Sequence, residues 1–312
     1  MMQVSIHAAV QAALAQGRAV VALESTVIAH GLPQPRNREV AYALESIVRE
    51  RGAQPATIGV VRGQPTIGLD EAAIERFATG ADVLKLSRRD LALAVVTSQD
   101  GATTVAGTMA LAHAAGVQVF ATGGIGGVHR GARETWDVSG DLTELGRTPV
   151  LVVCAGAKSI LDIPATLEVL ETLGVPVVGY GTDEFPSFYS RSSGLRLSAR
   201  ADTPEAVAAL WQAHRWLGGG GGMVLAVPPP EEAALPPEEV EAAIGRALAE
   251  ARRQGIHGAQ VTPFLLAAMK DETGGRSLET NIALLENNAR VAAEVAVAIA
   301  NSAQRAQRAE NR

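Results

Sequence analysis

The stretch TPVLVVCAGAKSILDIP, residues 148–164, decides how the rest of this chain is read. Residues 150–155 form an unbroken apolar run containing three valines. A run of that kind suits a strand covered on both faces, as in a parallel sheet. Gly156 then frees the backbone, and Lys158 precedes a segment, 159–173, whose pattern predicts a helix. Open parallel sheets place their ligands at the carboxyl ends of strands, where Lys158 would sit. Partial desolvation there disfavours the ammonium form and leaves an amine able to attack a carbonyl-like carbon. The alternative for Lys158 is an ordinary lysine reaching from a strand end to water.

The same alternation repeats on both sides of this stretch. Short apolar runs at 19–23, 57–61, 83–86, 117–121, 175–180 and 223–227 read as strands. Helical patterns fall at 4–16, 37–51, 71–77, 88–96, 103–115, 203–217 and 236–254, with a long one at about 278–303. Strands alternating with helices predict an α/β fold, three-layer α/β/α with a mostly parallel central sheet. No internal repeat and no linker interrupts the pattern. The expectation is a single domain over residues 1–312, with a frayed tail from about 304.

Composition narrows the function classes. The 312 residues are 47% hydrophobic, enough for a large core, and only 4% aromatic, with 32 glycines. The formal charge is −6 without a long basic run, which argues against nucleic acid as a partner. Cys154 is the one cysteine, so no internal disulfide forms, and a reducing compartment is expected. Its place inside the apolar strand points to packing. The first residues lack the charged start of a signal peptide, and no stretch reaches the roughly 18 apolar residues of a membrane helix. A soluble cytoplasmic protein with no membrane partner is the expectation.

Several side chains carry possible chemistry. The glycine-rich run after Ala121, TGGIGGVH, fails the spacing of a dinucleotide loop and has no clear helix behind it. Its glycines would let the backbone approach a ligand or bend sharply. His129 at its end would donate to a phosphate or substrate oxygen, or be a plain loop histidine. Glu24 ends the first strand as Lys158 follows its own, so a shared parallel sheet would open both on one side. Residues 136–141, WDVSGD, offer two carboxylates and a hydroxyl, which select hard divalent ions. Asp141 and Glu144 also resemble a helix capping pair, leaving Asp137 as the better metal ligand. No His/Cys spacing suggests zinc. Lys85, Arg88 and Arg89 sit at a strand end and helix start, where a phosphate could be held. Asn281 carries the donor and acceptor that suit a pyrimidine edge, although an asparagine on a helix is more commonly a surface residue. From the residues alone, a Schiff-base aldolase acting on a sugar phosphate and a non-catalytic sugar-phosphate-binding protein both stay open.

Taken together, LESTVIAHGLPQPRN (23–37), VLKLSRRD (83–90), GATTVAGTM (101–109), FATGGIGGVHRGARETWDVSGDL (120–142), VVCAGAKSILDIPATLEVLET (152–172) and NIALLENNARVAA (281–293) resemble the pseudouridine-5′-phosphate glycosidase family. The resemblance spans about residues 20–300. One departure is LAVPPPEE (225–232), where Val227 stands in place of the family's usual asparagine. The resemblance implies an α/β/α enzyme, a homotrimer, that reversibly cleaves the C–C glycosidic bond of pseudouridine 5′-phosphate to uracil and ribose 5-phosphate. It puts the nucleophile on Lys158 and the proton donor on Glu24. It puts Mn2+, one ion per subunit with Mg2+ or another divalent ion as substitute, on Asp137. Substrate contacts fall on Lys85, Val105, Ser139, Gly140 and Asp141, with His129, Thr122 and Asn281 as further active-site positions.

Overall fold

The computed structural model describes residues 4–256 and 261–310. Its strands are β1 (Ser5–Ile6), β2 (Val20–Glu24), β3 (Gln54–Val61), β4 (Gln64–Ile67), β5 (Leu84–Leu86), β6 (Gly101–Thr103), β7 (Val119–Ala121), β8 (Val128–His129), β9 (Leu151–Cys154), β10 (Leu161–Asp162), β11 (Val177–Tyr180), β12 (Ala199–Ala201) and β13 (Met223–Ala226). All but β8 and β10 join one sheet in the order β1-β4-β3-β2-β7-β9-β13-β11-β12, with β6 on β3 and β5 on β6. From β3 to β12 every neighbouring pair is parallel. Only β4 and β6 run antiparallel to β3. The mostly parallel sheet expected from the valine-rich runs is therefore present, and β8 and β10 form a separate two-stranded ribbon.

The centre is dry. Residues 150–155 are wholly buried, as are Val224, Leu225 and Ala226 of β13 beside them. Each fully buried aliphatic side chain contributes about 1.5–3 kcal/mol relative to exposure. The long helix Arg276–Glu310 packs on β2, β7 and β9, between the helices Arg36–Glu50 and Pro204–Trp216. Val105–Ala114 packs on β2, β3 and β7, with Gly140–Leu145 beside it. Helices flanking the sheet give the three-layer α/β/α architecture.

The structure departs from the sequence pattern in places that matter for the site. The helix expected at 159–173 begins only at Ile163, with Asp162 capping the backbone N–H of Ala165. Residues 161–162 are diverted into an antiparallel pair with β8. The segment 101–103, expected to touch the start of a helix, is instead strand β6, and Thr104 caps Val105–Ala114. Small residues there hide a strand whose partners come from far along the chain. The last helix runs to Glu310, beyond the end expected at 303, and its Ala, Gln and Arg residues favour helix. Val227 continues the sheet, its N–H bonding Cys154 O at 2.8 Å. Among the described residues no helix is long and apolar enough to cross a membrane.

Candidate active site

Register builds the site. Leu23 pairs with Ala121, and Ala121 pairs with Val153, across β2, β7 and β9. The next residues, Glu24, Thr122 and Cys154, therefore reach the carboxyl edge of the sheet on one level. Side chains at one level on neighbouring strands lie on the same face. Thr122 Oγ1 accordingly donates a short hydrogen bond to Glu24 Oε1. Cys154, wholly buried, has its thiol pushed up to about 12 by desolvation, which removes it as a nucleophile.

Beyond β9 the chain turns at Gly156, whose φ is +78° and where a Cβ would lie 2.1 Å from Pro186 O. Only glycine fits that approach. Ala157 then bridges Ile125, and Lys158 N donates to Ile125 O at 3.2 Å. This brings half-buried Lys158 into a cavity with Glu24, Lys85 and Asn281, closed by Val27, Phe188 and Leu285. The cavity holds about 70 Å³ and shares His30, Gly31 and Asn281 with a cleft of about 310 Å³ that reaches Tyr189 and Lys270. The juxtaposition of Glu24 with Lys158, expected from two strand ends of one parallel sheet, is what the fold produces.

The electrostatics of this cavity are those of a poorly hydrated acid beside two amines. Burial raises the Glu24 pKa above the usual carboxylate range. Lys158, the Thr122 hydroxyl and Lys85 oppose that rise, while Asp141 adds to it. Lys85 is exposed by surface area, yet the protein crowded around its ammonium, and then Lys158, lower its pKa. Burial lowers His129 as well, against the pull of Asp137 and with the push of Lys158 and Lys85.

Gly123 and Gly124 of the glycine-rich run line the cavity, where bare backbone is open to a ligand, and the run is also packed tightly by side chains. A Cβ on Gly124 would meet Phe188 at 2.6 Å, and one on Gly126 would meet Ser139 Oγ at 2.3 Å. At Gly124 and Gly126 the protein's own side chains also make a close approach. Asp141 is the brace: Oδ1 accepts from Ala106 N at 2.9 Å and Oδ2 from Gly126 N at 2.8 Å. It does not form the capping pair with Glu144 that its spacing suggests. Ser139 caps this short helix, its Oγ accepting from Asp141 N. Gly140 is exposed between them, and Val105 buries its side chain in the core, so substrate could reach it only through its backbone. Arg88 turns to Glu144 at 2.5 Å and Arg89 to Asp90 at 3.4 Å, leaving Lys85 alone of that trio in the cavity.

Asp137 and His129 are not among the residues that line the cavity; the Asp137 side chain is 37% exposed, with Oδ2 3.8 Å from His129 Nδ1. Among the described residues no three His, Cys, Asp or Glu side chains gather into a metal cluster. A hard divalent ion that keeps most of its waters needs only one carboxylate, and Asp137 fits that donor set. Thr26, Val27, His30, Phe188 and Leu285 line the cavity without having stood out in the sequence. His30 sits on the wide turn Val27–Gly31 that follows Glu24, a π-helical form frequent at functional sites.

Known proteins resemble this chain along nearly its whole length. The family model described as indigoidine synthase A like protein matches residues 9–298. The pseudouridine-5′-phosphate glycosidase of Herpetosiphon aurantiacus is 67% identical over 293 residues, covering 94% of this chain and 97% of that one. That of Chloroflexus aurantiacus is 65% identical over 294 residues, covering 93% and 96%. Among solved structures, the prealnumycin C-glycosynthase AlnA in complex with ribulose 5-phosphate superposes with a TM-score of 0.91 at 41% identity, covering 98% of this chain and 99% of that one. An indigoidine synthase A-like protein of Thermotoga maritima gives 0.85 at 38%, covering 91% and 94%. With identity and coverage of this order along nearly its whole length, the chain belongs to the pseudouridine-5′-phosphate glycosidase family, among the indigoidine synthase A like proteins.

Proposed function

We propose that the protein reversibly cleaves the C–C glycosidic bond of pseudouridine 5′-phosphate, giving uracil and ribose 5-phosphate, through a covalent adduct on Lys158. The observation that carries this reading is the shared cavity of Lys158, Glu24 and Asn281. An amine, a carboxyl with a raised pKa and an amide are what a C-glycoside requires. The leaving atom is a ring carbon without a lone pair, so protonation of a leaving oxygen, as in ordinary glycosidases, is not open to it.

In the cleavage direction the Lys158 amine attacks C1′ and the ring oxygen leaves, taking a proton, so that the ribose opens. The nitrogen lone pair then expels the uracil carbon as an imine forms, and Glu24 supplies the proton that this carbon acquires. Water adds to the imine, and collapse of the carbinolamine frees ribose 5-phosphate and the amine. The Glu24 carboxylate takes a proton from the water that adds to the imine, which restores its protonated form. Asn281 would read the pyrimidine edge, and Lys85 with the backbone of Val105 and of 139–141 would hold the phosphate and sugar. His129 lies beside Asp137 and would donate to a substrate oxygen. Asp137 would hold Mn2+ or another hard divalent ion, which when bound counters charge near the phosphate.

The decisive experiment is uracil release from pseudouridine 5′-phosphate by the purified protein. Turnover by the parent, loss of turnover in a folded Lys158→Ala variant, and a borohydride-trapped ribose 5-phosphate adduct on the Lys158 peptide are the expected results. Retained activity in the alanine variant would remove the covalent route. Full activity after exhaustive chelation would remove the metal from Asp137. Light scattering at three times the 32.3 kDa chain mass is expected for the homotrimer.

A further inference from the structure

We propose that Asn288, on the long helix Arg276–Glu310, is a positioning residue of the proton-donor site: it holds the backbone from which Thr122 offers its hydroxyl to Glu24. This rests on the proton-donor reading of Glu24 given above. Asn288 is wholly buried. Its Nδ2 donates to Thr122 O at 2.8 Å and to Gly123 O at 3.4 Å. Those carbonyls lie where β7 has ended and the sheet no longer supplies every partner. Gly123 O still accepts from Ala155 N at 2.8 Å, so it is the Thr122 carbonyl that needs a donor, and the helix provides it.

Two details argue for more than the satisfaction of a strand end. First, the amide gives up half its own hydrogen bonding. Asn288 Oδ1 is a buried side-chain atom without a hydrogen-bond partner among the described residues, and no other such atom is found there. With two carbonyls before it, the amide cannot turn its oxygen toward them. The orientation is therefore locked with Nδ2 on the strand end at the expense of the other atom. Second, the position belongs to a stripe. Asn281, Leu284, Leu285 and Asn288 recur at helical spacing on one face. Asn281 and Leu285 line the cavity, and Leu284 and Leu285 sit against Gly123. The same face thus carries the amide that meets the substrate and the amide that holds the loop behind it.

The consequence reaches Glu24 through one hydroxyl. Thr122 N is tied to Val153 O at 3.0 Å, Thr122 O to Asn288, and Oγ1 to Glu24. With the carbonyl released, the peptide plane can rotate and the hydroxyl leaves the carboxyl. The groups facing Glu24 are Thr122 on β7's edge, Lys158 after β9, Lys85 on β5 and Asp141 at the braced helix. Of these, only the Thr122 contact depends on Asn288.

The test is the pH dependence of kcat/KM for uracil release, measured beside thermal melting. Asn288→Leu keeps the branching and heavy-atom count of the side chain and removes both the donor and the unpartnered oxygen. Asn288→Ser serves should leucine not be tolerated. Loss of the hydroxyl weakens the ionised carboxylate, so the basic limb that reports the Glu24 proton moves to higher pH, by about half a unit or more. Activity falls roughly tenfold or more as the acid loses its aim. Thr122→Val shows the same shift, Thr122→Ser retains the parent limb, and Asn288→Leu adds no further shift in the Thr122→Val background. A limb that Glu24→Gln abolishes but the Asn288 variants leave in place, with only melting lowered, overturns the proposal alone. So does a shift that adds to that of Thr122→Val. A limb that survives Glu24→Gln overturns the proton-donor reading and the proposal with it.

Discussion

Glu24 and Glu144 are both carboxylates that the fold takes away from bulk water, and the two are treated in opposite ways. The Glu144 side chain has no exposed surface, and its charge is fully answered. Arg88 reaches it at 2.5 Å, Arg147 at 2.7 and 3.0 Å, and the Thr148 hydroxyl donates to it as well. Glu24 forms no ion pair with any described residue and takes one hydroxyl hydrogen bond, while its amines, Lys158 and Lys85, act from across the cavity. A buried charge that is paired on every side is part of the scaffold. One that is left half-answered, with a cavity before it, keeps a proton within reach and is suited to giving it away.

The sharpest way to break this contrast is to make both residues neutral. Glu24→Gln keeps the shape and removes the proton, so kcat for uracil release should fall by about 10²–10⁴-fold, the usual contribution of a positioned acid. The melting temperature should not fall with it. A Gln variant that works as well as the parent would place the proton donor elsewhere. For Glu144→Ala the expectation reverses. Removing the buried carboxylate leaves a cavity and the buried Thr148 hydroxyl without its partner, while the half-exposed arginines turn to water, at a cost of about 1–3 kcal/mol in stability. Chemical denaturation measures that cost, and the fraction that stays folded should turn over near the parent rate. An intact stability with a collapsed kcat would show that Glu144 had been misread as scaffold.

How much of this contrast was open to a reader of the sequence depends on which interactions are local. Lys158 and Glu24 stood out because each follows an apolar run, and parallel pairing sends both strand ends to one edge. Asp137 stood out as a carboxylate without another task. Asp141 and Glu144 looked like a capping pair from their spacing, whereas the first braces Ala106 and Gly126 and the second collects Arg88 and Arg147. Nothing local in the sequence marks those contacts. The same holds for Thr122 and Glu24, which lie 98 positions apart and are brought level by strand register. The start of the helix at Ile163 was hidden because the ribbon with β8 outweighs the helical preference of 159–162. His30 was overlooked since a histidine in a loop carries no periodic signal.

A finer test uses pH on stability in the absence of substrate. The folded-state pKa of Glu24 lies above its ordinary 4.5. Between those two values the folded protein binds the proton that the unfolded chain has lost, so stability falls as pH rises through that window and the loss is complete above it. Glu24→Gln has no such proton. Its melting temperature should gain on the parent as pH climbs from about 4.5, and the difference should then level off. A difference that stays constant with pH would mean that burial does not raise the Glu24 pKa.

The smallest expected effect probes how redundantly Glu144 is held. Arg147 is three positions along the chain, and its side chain remains 52% exposed, so solvent already screens much of its attraction. Arg147→Ala leaves Arg88 and the Thr148 hydroxyl on the same carboxylate. The loss should therefore be that of a half-exposed ion pair, about 0.2–1 kcal/mol, read from the denaturant midpoint with an unchanged slope. The shift should shrink further in high salt, because the partner being removed is the exposed one. A loss as large as that of Glu144→Ala, insensitive to salt, would mean that one arginine alone carries the compensation, and that the buried charge sits closer to the edge of tolerance than its three partners suggest.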